Sequence, residues 1–235
     1  MRLAIIDDHP SSIQGVMTFT SRMATPPVVE GYTSLEAFAA AHDGGARFNL
    51  VLLDLTMPGH SELSALEFFR SRFDEIPVVV LSANYDASTI WTALERLNAM
   101  GYIPKSSSGE VTVSAIELVL AGGVYVPPEV FHHPEARMRS PAASTRPSAN
   151  GSPRQDALSS KRVLASMTMR QRDVLQLLLK GMPDKAICRE LNLSQNTVKK
   201  HKTAVFGALH VDNRTKVVLA AHRLGLIVDY EDAPM

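Results

Sequence analysis

The 235 residues, 45% of them apolar, are enough for two ordinary domains with real cores. No run approaches the ~20 consecutive apolar residues of a bilayer-spanning helix, and no charged stretch followed by an apolar one heads the chain. A single cysteine, Cys188, excludes an internal disulfide and fits a reducing compartment, so a soluble, cytoplasmic protein is expected.

Five apolar runs alternate with amphipathic stretches in the first half. LAIID, PVVEG, LVLLD, VVVLS and GYIPK read as strands, and stretches such as SALEFFRSRF and STIWTALERL carry helical spacing. This alternation predicts an α/β doubly wound (βα)5 domain with a parallel sheet. Asn98, ahead of the fifth strand, suits a left-handed helix C-cap, and a helix over roughly Gly109–Ala121 closes the unit. From about His132 to Ser160, Pro, Ser, Ala and Arg dominate and periodicity vanishes, which predicts a flexible linker.

The last part, roughly Lys161–Val228, reads as helix throughout. Thr168 caps MRQRDVLQLLLKG, Pro183 and Asp184 start DKAICREL, Ser194 caps QNTVKKHKTAVFGAL, and Asn213 caps RTKVVLAAHRLG. The expected organisation is therefore 1–125 for the α/β domain, 126–160 for the linker and 161–230 for a separate all-α domain. Charge divides along the same line. Residues 1–130 carry 7 Lys and Arg against 15 Asp and Glu, and residues 131–235 carry 17 against 9, inside a net charge of zero. The basic half suits a polyanionic partner.

The strand ends carry the chemistry. The first strand finishes in Asp7 and Asp8, the third in Asp54, the fourth in Ser82 and the fifth in Lys105. With strand order 2-1-3-4-5, these ends converge on one crevice at the topological switch point. Three close carboxylates repel one another unless a cation is present, and their hard oxygens suit Mg²⁺. A carboxylate beside Mg²⁺ can attack phosphorus. The ion, the Lys105 ammonium and the Ser82 hydroxyl would then meet the charge on the phosphoryl oxygens. Two readings stay open from the residues alone. One is a phosphoacceptor in a regulatory domain; the other is a Mg²⁺-dependent phosphatase working through an aspartyl phosphate. The phosphatase calls for an acid two residues after the nucleophile, where Thr56 stands. His9 and His201 lack company at metal-ligand spacing, so zinc is not expected.

The pieces IIDDHP, LLDLTMPG, VLSA and GYIPKS, in this order and spacing, resemble the receiver domain of bacterial two-component response regulators. The resemblance implies that Asp54 is the phosphoacceptor. It implies that Asp8 and Asp54 ligate Mg²⁺ directly, Asp7 through water and Thr56 through its carbonyl. Ser82 and Lys105 would grip the phosphoryl group, and Tyr102 would be the aromatic switch whose rotamer follows Ser82. Many receivers have proline after the lysine; here Ser106 follows and Pro104 precedes.

In LNLSQNTVKKHKTAVFGAL, two helices meet at a short turn and the second is capped and basic at its start, which matches a helix-turn-helix. Val198, Val205 and Leu209 can face a core, leaving Thr197, Lys199, Lys200, Lys202 and Thr203 toward solvent or a groove. Residues 161–228 hold 13 basic against 4 acidic side chains, a polyanion-binding footprint. The pieces TMRQRDVLQLLLKGM, KAICRELNLSQNTVKKH and NRTKVVLAAHRLGLI resemble the LuxR-type four-helix DNA-binding domain. The chain as a whole resembles the NarL/FixJ class of response regulators.

That resemblance implies that Lys199, Lys200 and Thr203 face bases, that Thr197, Lys202 and Arg214 lie near phosphates, and that the last helix around Val217 and Ala221 is a dimer surface. The departures are Met169 in place of proline, Gln171 in place of Glu, Pro183 in place of a small hydroxyl residue, and Lys200 where an apolar or varied residue is common. The implied protein is a transcription regulator and not a turnover enzyme. A sensor histidine kinase phosphorylates Asp54, a homodimer forms, and double-stranded DNA is bound, with RNA polymerase a further partner and no membrane involved. A phosphorylation-independent transcription factor is the alternative on the same fold.

Overall fold

The computed structural model describes residues 1–61, 63–84, 86–128, 130 and 162–226. By contacts the chain divides into Met1–Val130 and Phe131–Met235. The linker expected over 126–160 lies almost wholly outside the described residues.

The first unit alternates β1 (Arg2–Ile6), α1 (Pro10–Thr20), β2 (Val28–Tyr32), α2 (Leu35–Asp43), β3 (Leu50–Asp54), α3 (Ser64–Arg72), β4 (Val78–Ser82), α4 (Ala87–Glu95), β5 (Gly101–Pro104) and α5 (Gly109–Leu120). The strands form one parallel sheet in the order β2-β1-β3-β4-β5, as expected from the sequence. Every residue of β3 and β4 is buried, because helices cover both faces of the sheet. β2 lies at the edge, and its Val28 is exposed. The other edge is partly covered. Tyr125 donates to the Met100 carbonyl and accepts from the Tyr102 N–H, forming a parallel bridge to Gly101. A Cβ at Gly101 would sit 3.0 Å from the Tyr125 carbonyl oxygen, a tight approach that glycine relieves.

Local chemistry sets the helix ends. Ser34, Asp86 and Ser108 accept from the backbone N–H three residues on and start α2, α4 and α5. Asn98 takes the left-handed conformation expected of it, at φ 53°.

The second unit contains α6 (Met169–Leu179), α7 (Asp184–Leu191), α8 (Gln195–Leu209) and α9 (Arg214–Arg223). Thr168 caps α6 in a full capping box. Its hydroxyl accepts from the Gln171 N–H at 3.3 Å, and the Gln171 amide oxygen accepts from the Thr168 N–H at 2.8 Å. Glutamine thus does there what glutamate would do. Ser194 and Asn213 cap α8 and α9 as expected. Asn192 and His210, both left-handed, end α7 and α8. Val174, Leu178, Ile187, Val198, Val205 and Val217 build one core between the four helices. Among the described residues, no helix is long and apolar enough to cross a membrane.

Candidate functional site

The parallel register brings the strand ends together. Ile6 pairs with Leu53, so the next residues, Asp7 and Asp54, lie side by side. Asp54 pairs with Leu81 and Ser82 with Pro104, which sets Ser82 and Lys105 on the neighbouring strand ends. Asp7 and Asp54 are fully buried. The Lys105 ammonium bridges them, 2.8 Å from Asp7 Oδ2 and 2.7 Å from Asp54 Oδ2. Asp54 Oδ1 accepts the Thr56 N–H at 3.0 Å, and Asp7 Oδ1 accepts the His9 N–H at 2.9 Å. The Lys105 N–H donates to the Ser82 carbonyl at 2.9 Å, tying the β4 and β5 ends to each other.

Electrostatics follow from this packing. Burial pushes the Asp54 carboxyl up from its ordinary range, while the hydrogen bonds from Lys105 and Thr56 pull it down without offsetting the shift. Burial also pulls the Lys105 ammonium down, but hydrogen bonds to Asp54 and Asp7 more than reverse this and hold it above the ordinary lysine value. Asp7, Asp8, His9 and Asp54 each bring one ligand atom, and all four atoms lie within 4.8 Å of one another. Three of the four are hard carboxylate oxygens, the donor set of a small divalent cation. His9, directly after the two aspartates, joins this group, with its Nδ1 2.9 Å from Asp8 Oδ1.

Tyr102 is fully buried, and its hydroxyl donates to the Asn84 carbonyl at 2.7 Å. That bond links the β5 strand to the loop leaving Ser82, whose Oγ accepts the Asn84 N–H at 3.1 Å. Asn84 is a partner the sequence did not suggest, because its contribution is backbone.

In the second unit, Val198, Val205 and Leu209 are buried, which turns the opposite face of α8 outward. Lys199, Lys200 and Thr203 stand exposed there. With Asn196, they line one open groove. Asn196 was missed, although an exposed asparagine in the first turn of such a helix can read adenine. Thr197 is half-buried, its hydroxyl 2.8 Å from Ser194 Oγ. Lys202 is held by Asp184 at 2.9 and 2.7 Å.

Three expectations need correction. Arg214 is buried, not presented to a backbone phosphate. Its guanidinium donates to the carbonyls of Leu178 at 3.2 Å and Met182 at 2.7 Å, at and just beyond the end of α6. Val217 and Ala221 are fully buried as well. Four residues apart, they share the face of α9 that packs on α6 and α8, so they belong to the domain core and offer no dimer surface.

Residues 3–117 match the response regulator receiver domain family, and residues 165–221 match the luxR family of bacterial regulatory proteins. The glycerol metabolism activator of Pseudomonas putida is 31% identical over 226 residues, covering 94% of each chain. The nitrate/nitrite response regulator protein NarL of Escherichia coli K12 is 28% identical over 221 residues, again 94% of each. Among solved structures, the RcsB response regulator of Salmonella typhimurium gives a TM-score of 0.52 over 93% of this chain and 96% of that one. At 18% identity the likeness is one of fold.

Proposed function

The chain belongs to the NarL/FixJ class of two-component response regulators, and from that premise we propose that Asp54 accepts a phosphoryl group from a sensor histidine kinase and thereby controls dimerisation and DNA binding. A receiver domain and a luxR-type DNA-binding domain together make it a regulator of transcription, which supports this reading over the phosphatase alternative. A kinase donor and a DNA target locate its work in the cytoplasm, with RNA polymerase the downstream partner.

The observation that carries the reading is the Lys105 ammonium bridging two fully buried carboxylates, Asp7 and Asp54, one strand from Ser82. Lys105 and the Thr56 N–H hold the two Asp54 oxygens in fixed directions, so the nucleophile is oriented before a donor arrives. As an Asp54 oxygen bonds to phosphorus, the phosphorus–nitrogen bond of the kinase's phosphohistidine breaks. Lys105 can then move from the carboxylate to a phosphoryl oxygen, and the Ser82 hydroxyl can donate to another. Asp7, Asp8 and Asp54, with the Thr56 carbonyl, would hold Mg²⁺, which when bound neutralises charge on the phosphoryl oxygens. Once Ser82 engages the phosphoryl group, the loop through Asn84 shifts. Tyr102, bonded to Asn84, shifts with it.

The receiver then biases the second unit toward a DNA-binding dimer. Lys199, Lys200 and Thr203 would reach base edges and Thr197 a phosphate. Replacing Lys199 and Lys200 together by Ala is expected to weaken binding to a preferred duplex at least tenfold near 0.1 M salt and to narrow its preference over a scrambled duplex. Fluorescence anisotropy on the two duplexes measures both.

The test of the switch is DNA binding by anisotropy and mass by light scattering, with and without beryllofluoride and Mg²⁺. The wild type is expected to bind more tightly and to double in mass with the mimic, while Asp54→Asn responds to neither. Acetyl phosphate should add one phosphoryl mass to the wild type alone. A wild type that ignores the mimic, or a variant that follows it, would return the reading to phosphorylation-independent binding.

A further inference from the structure

Lysines of α8 fall into two kinds. Lys199 and Lys200 are exposed and, among the described residues, have no ion-pair partner. Lys202 is already engaged, its ammonium donating to both carboxylate oxygens of Asp184. Asp184 is the first residue of α7 and is held there by more than this lysine. Pro183, the residue before it, makes no side-chain cap, so the Asp184 charge sits at the uncompensated positive end of the helix. Arg214 approaches from the other side, with Nη1 4.0 Å from Asp184 Oδ1. Nε and Nη1 of that buried guanidinium have no hydrogen-bond partner, which leaves Asp184 as the countercharge beside them.

We propose that Asp184 is a built-in competitor for the DNA backbone, occupying Lys202 and holding it away from phosphates, and so lowers the sequence-independent affinity of the DNA-binding unit. The inference rests on the DNA-binding reading above. Its physical content is a comparison of two anions for one ammonium. A phosphate reaching Lys202 would have to come against the Asp184 carboxylate, which two further positive features keep in place. Lys202 is then lost as a phosphate contact, while Asn196, Lys199, Lys200 and Thr203 remain exposed toward a groove. Phosphate contacts supply affinity without sequence information, and base contacts supply the discrimination. Removing one phosphate contact from a strongly basic unit lowers binding to every sequence alike.

The test uses the full chain and a fluorescein-labelled mixed-sequence duplex, titrated by anisotropy over a salt series. D184N is expected to bind about three- to tenfold more tightly near 0.1 M salt, with a log–log slope steeper by about one, the value of one added phosphate contact. K202M, made with α7 unaltered, should change affinity less than twofold and leave the slope as it is. D184N/K202M should fall back to the wild type, and D184E, which keeps the charge, should stay there. Circular dichroism melts of each variant confirm that the unit is folded. A D184N chain no tighter than a binding wild type would overturn the inference alone. So would a K202M chain whose slope flattens by about one, because Lys202 would then be a working phosphate contact. If neither wild type nor D184N raises the anisotropy even at low salt, the DNA-binding reading falls and takes the inference with it.

Discussion

Lys105→Met is expected to lower the melting temperature of the receiver unit by roughly 10 °C in metal-free buffer and to abolish phosphoryl uptake at Asp54. The stability argument starts from burial. Asp7 and Asp54 are both 0% exposed, and Lys105 is the cation that bridges them. Removing one partner of a buried ion pair costs about 3–5 kcal/mol, because a charge is left uncompensated in a poor solvent. The full figure does not apply here. The Lys105 side chain keeps 24% exposure, and the Asp54 carboxyl, already pushed up by burial, can take a proton. About 2–3 kcal/mol remains, which for a unit of this size is roughly 10 °C.

The chain provides its own reporter for that measurement. Its single tryptophan, Trp91, lies buried on α4, so tryptophan fluorescence follows the first unit and is blind to the second. Two controls make the cause specific. Millimolar Mg²⁺ should narrow the gap between variant and wild type, because it supplies the missing positive charge. Asp54→Asn in the Lys105→Met background should recover more than half of the loss, since one of the two stranded carboxylates is gone. A Lys105→Met chain that melts with the wild type would mean that the carboxylates are compensated some other way.

The sequence reveals this arrangement to different depths at different places. β3 and β4 run as read, and the caps Thr168, Ser194 and Asn213 stand where expected. Those features are local, written in apolar runs and in a hydroxyl or amide next to the first turn. Asp54 and Lys105 lie 51 residues apart and become neighbours only through strand order. That order was legible because the strands alternate with helices, which restricts the topology. α9 was not legible in the same way. The spacing of Val217 and Ala221 identifies a stripe on a helix but not whether α6 or a second chain covers it. Arg214 and Lys202 look alike in sequence, two cations on a basic unit. Their roles depend on Leu178, Met182 and Asp184, carried by other helices or the segments joining them.

Arg70→Met is expected to destabilise the receiver unit by about 2–4 kcal/mol, roughly another 10 °C, with no change in any residue of the acidic site. The Arg70 guanidinium is a hub for backbone carbonyls. Nε donates to Leu97 O at 2.8 Å, Nη1 to Asp74 O at 3.0 Å and to Ile76 O at 2.9 Å, and Nη2 to Asn98 O at 2.5 Å. Methionine keeps the apolar stem and removes all of these donors. The acceptors at Asp74 and Asn98 are exposed and can turn to water, so most of the cost comes from Leu97 and Ile76, which are partly buried. Lysine restores the charge but has a single ammonium where four carbonyls converge, so Arg70→Lys should recover less than half. The loss also reaches the chemistry. Arg70 joins the loop that leads into β4 to the left-handed turn at Asn98 that leads into β5, and those two strands end in Ser82 and at Lys105. Slack between them loosens the spacing of hydroxyl and ammonium around the Asp54 carboxylate. Phosphoryl uptake from acetyl phosphate should therefore slow in Arg70→Met at a temperature where Trp91 fluorescence still reports a folded unit. Uptake at the wild-type rate, with stability lost, would confine Arg70 to holding the fold.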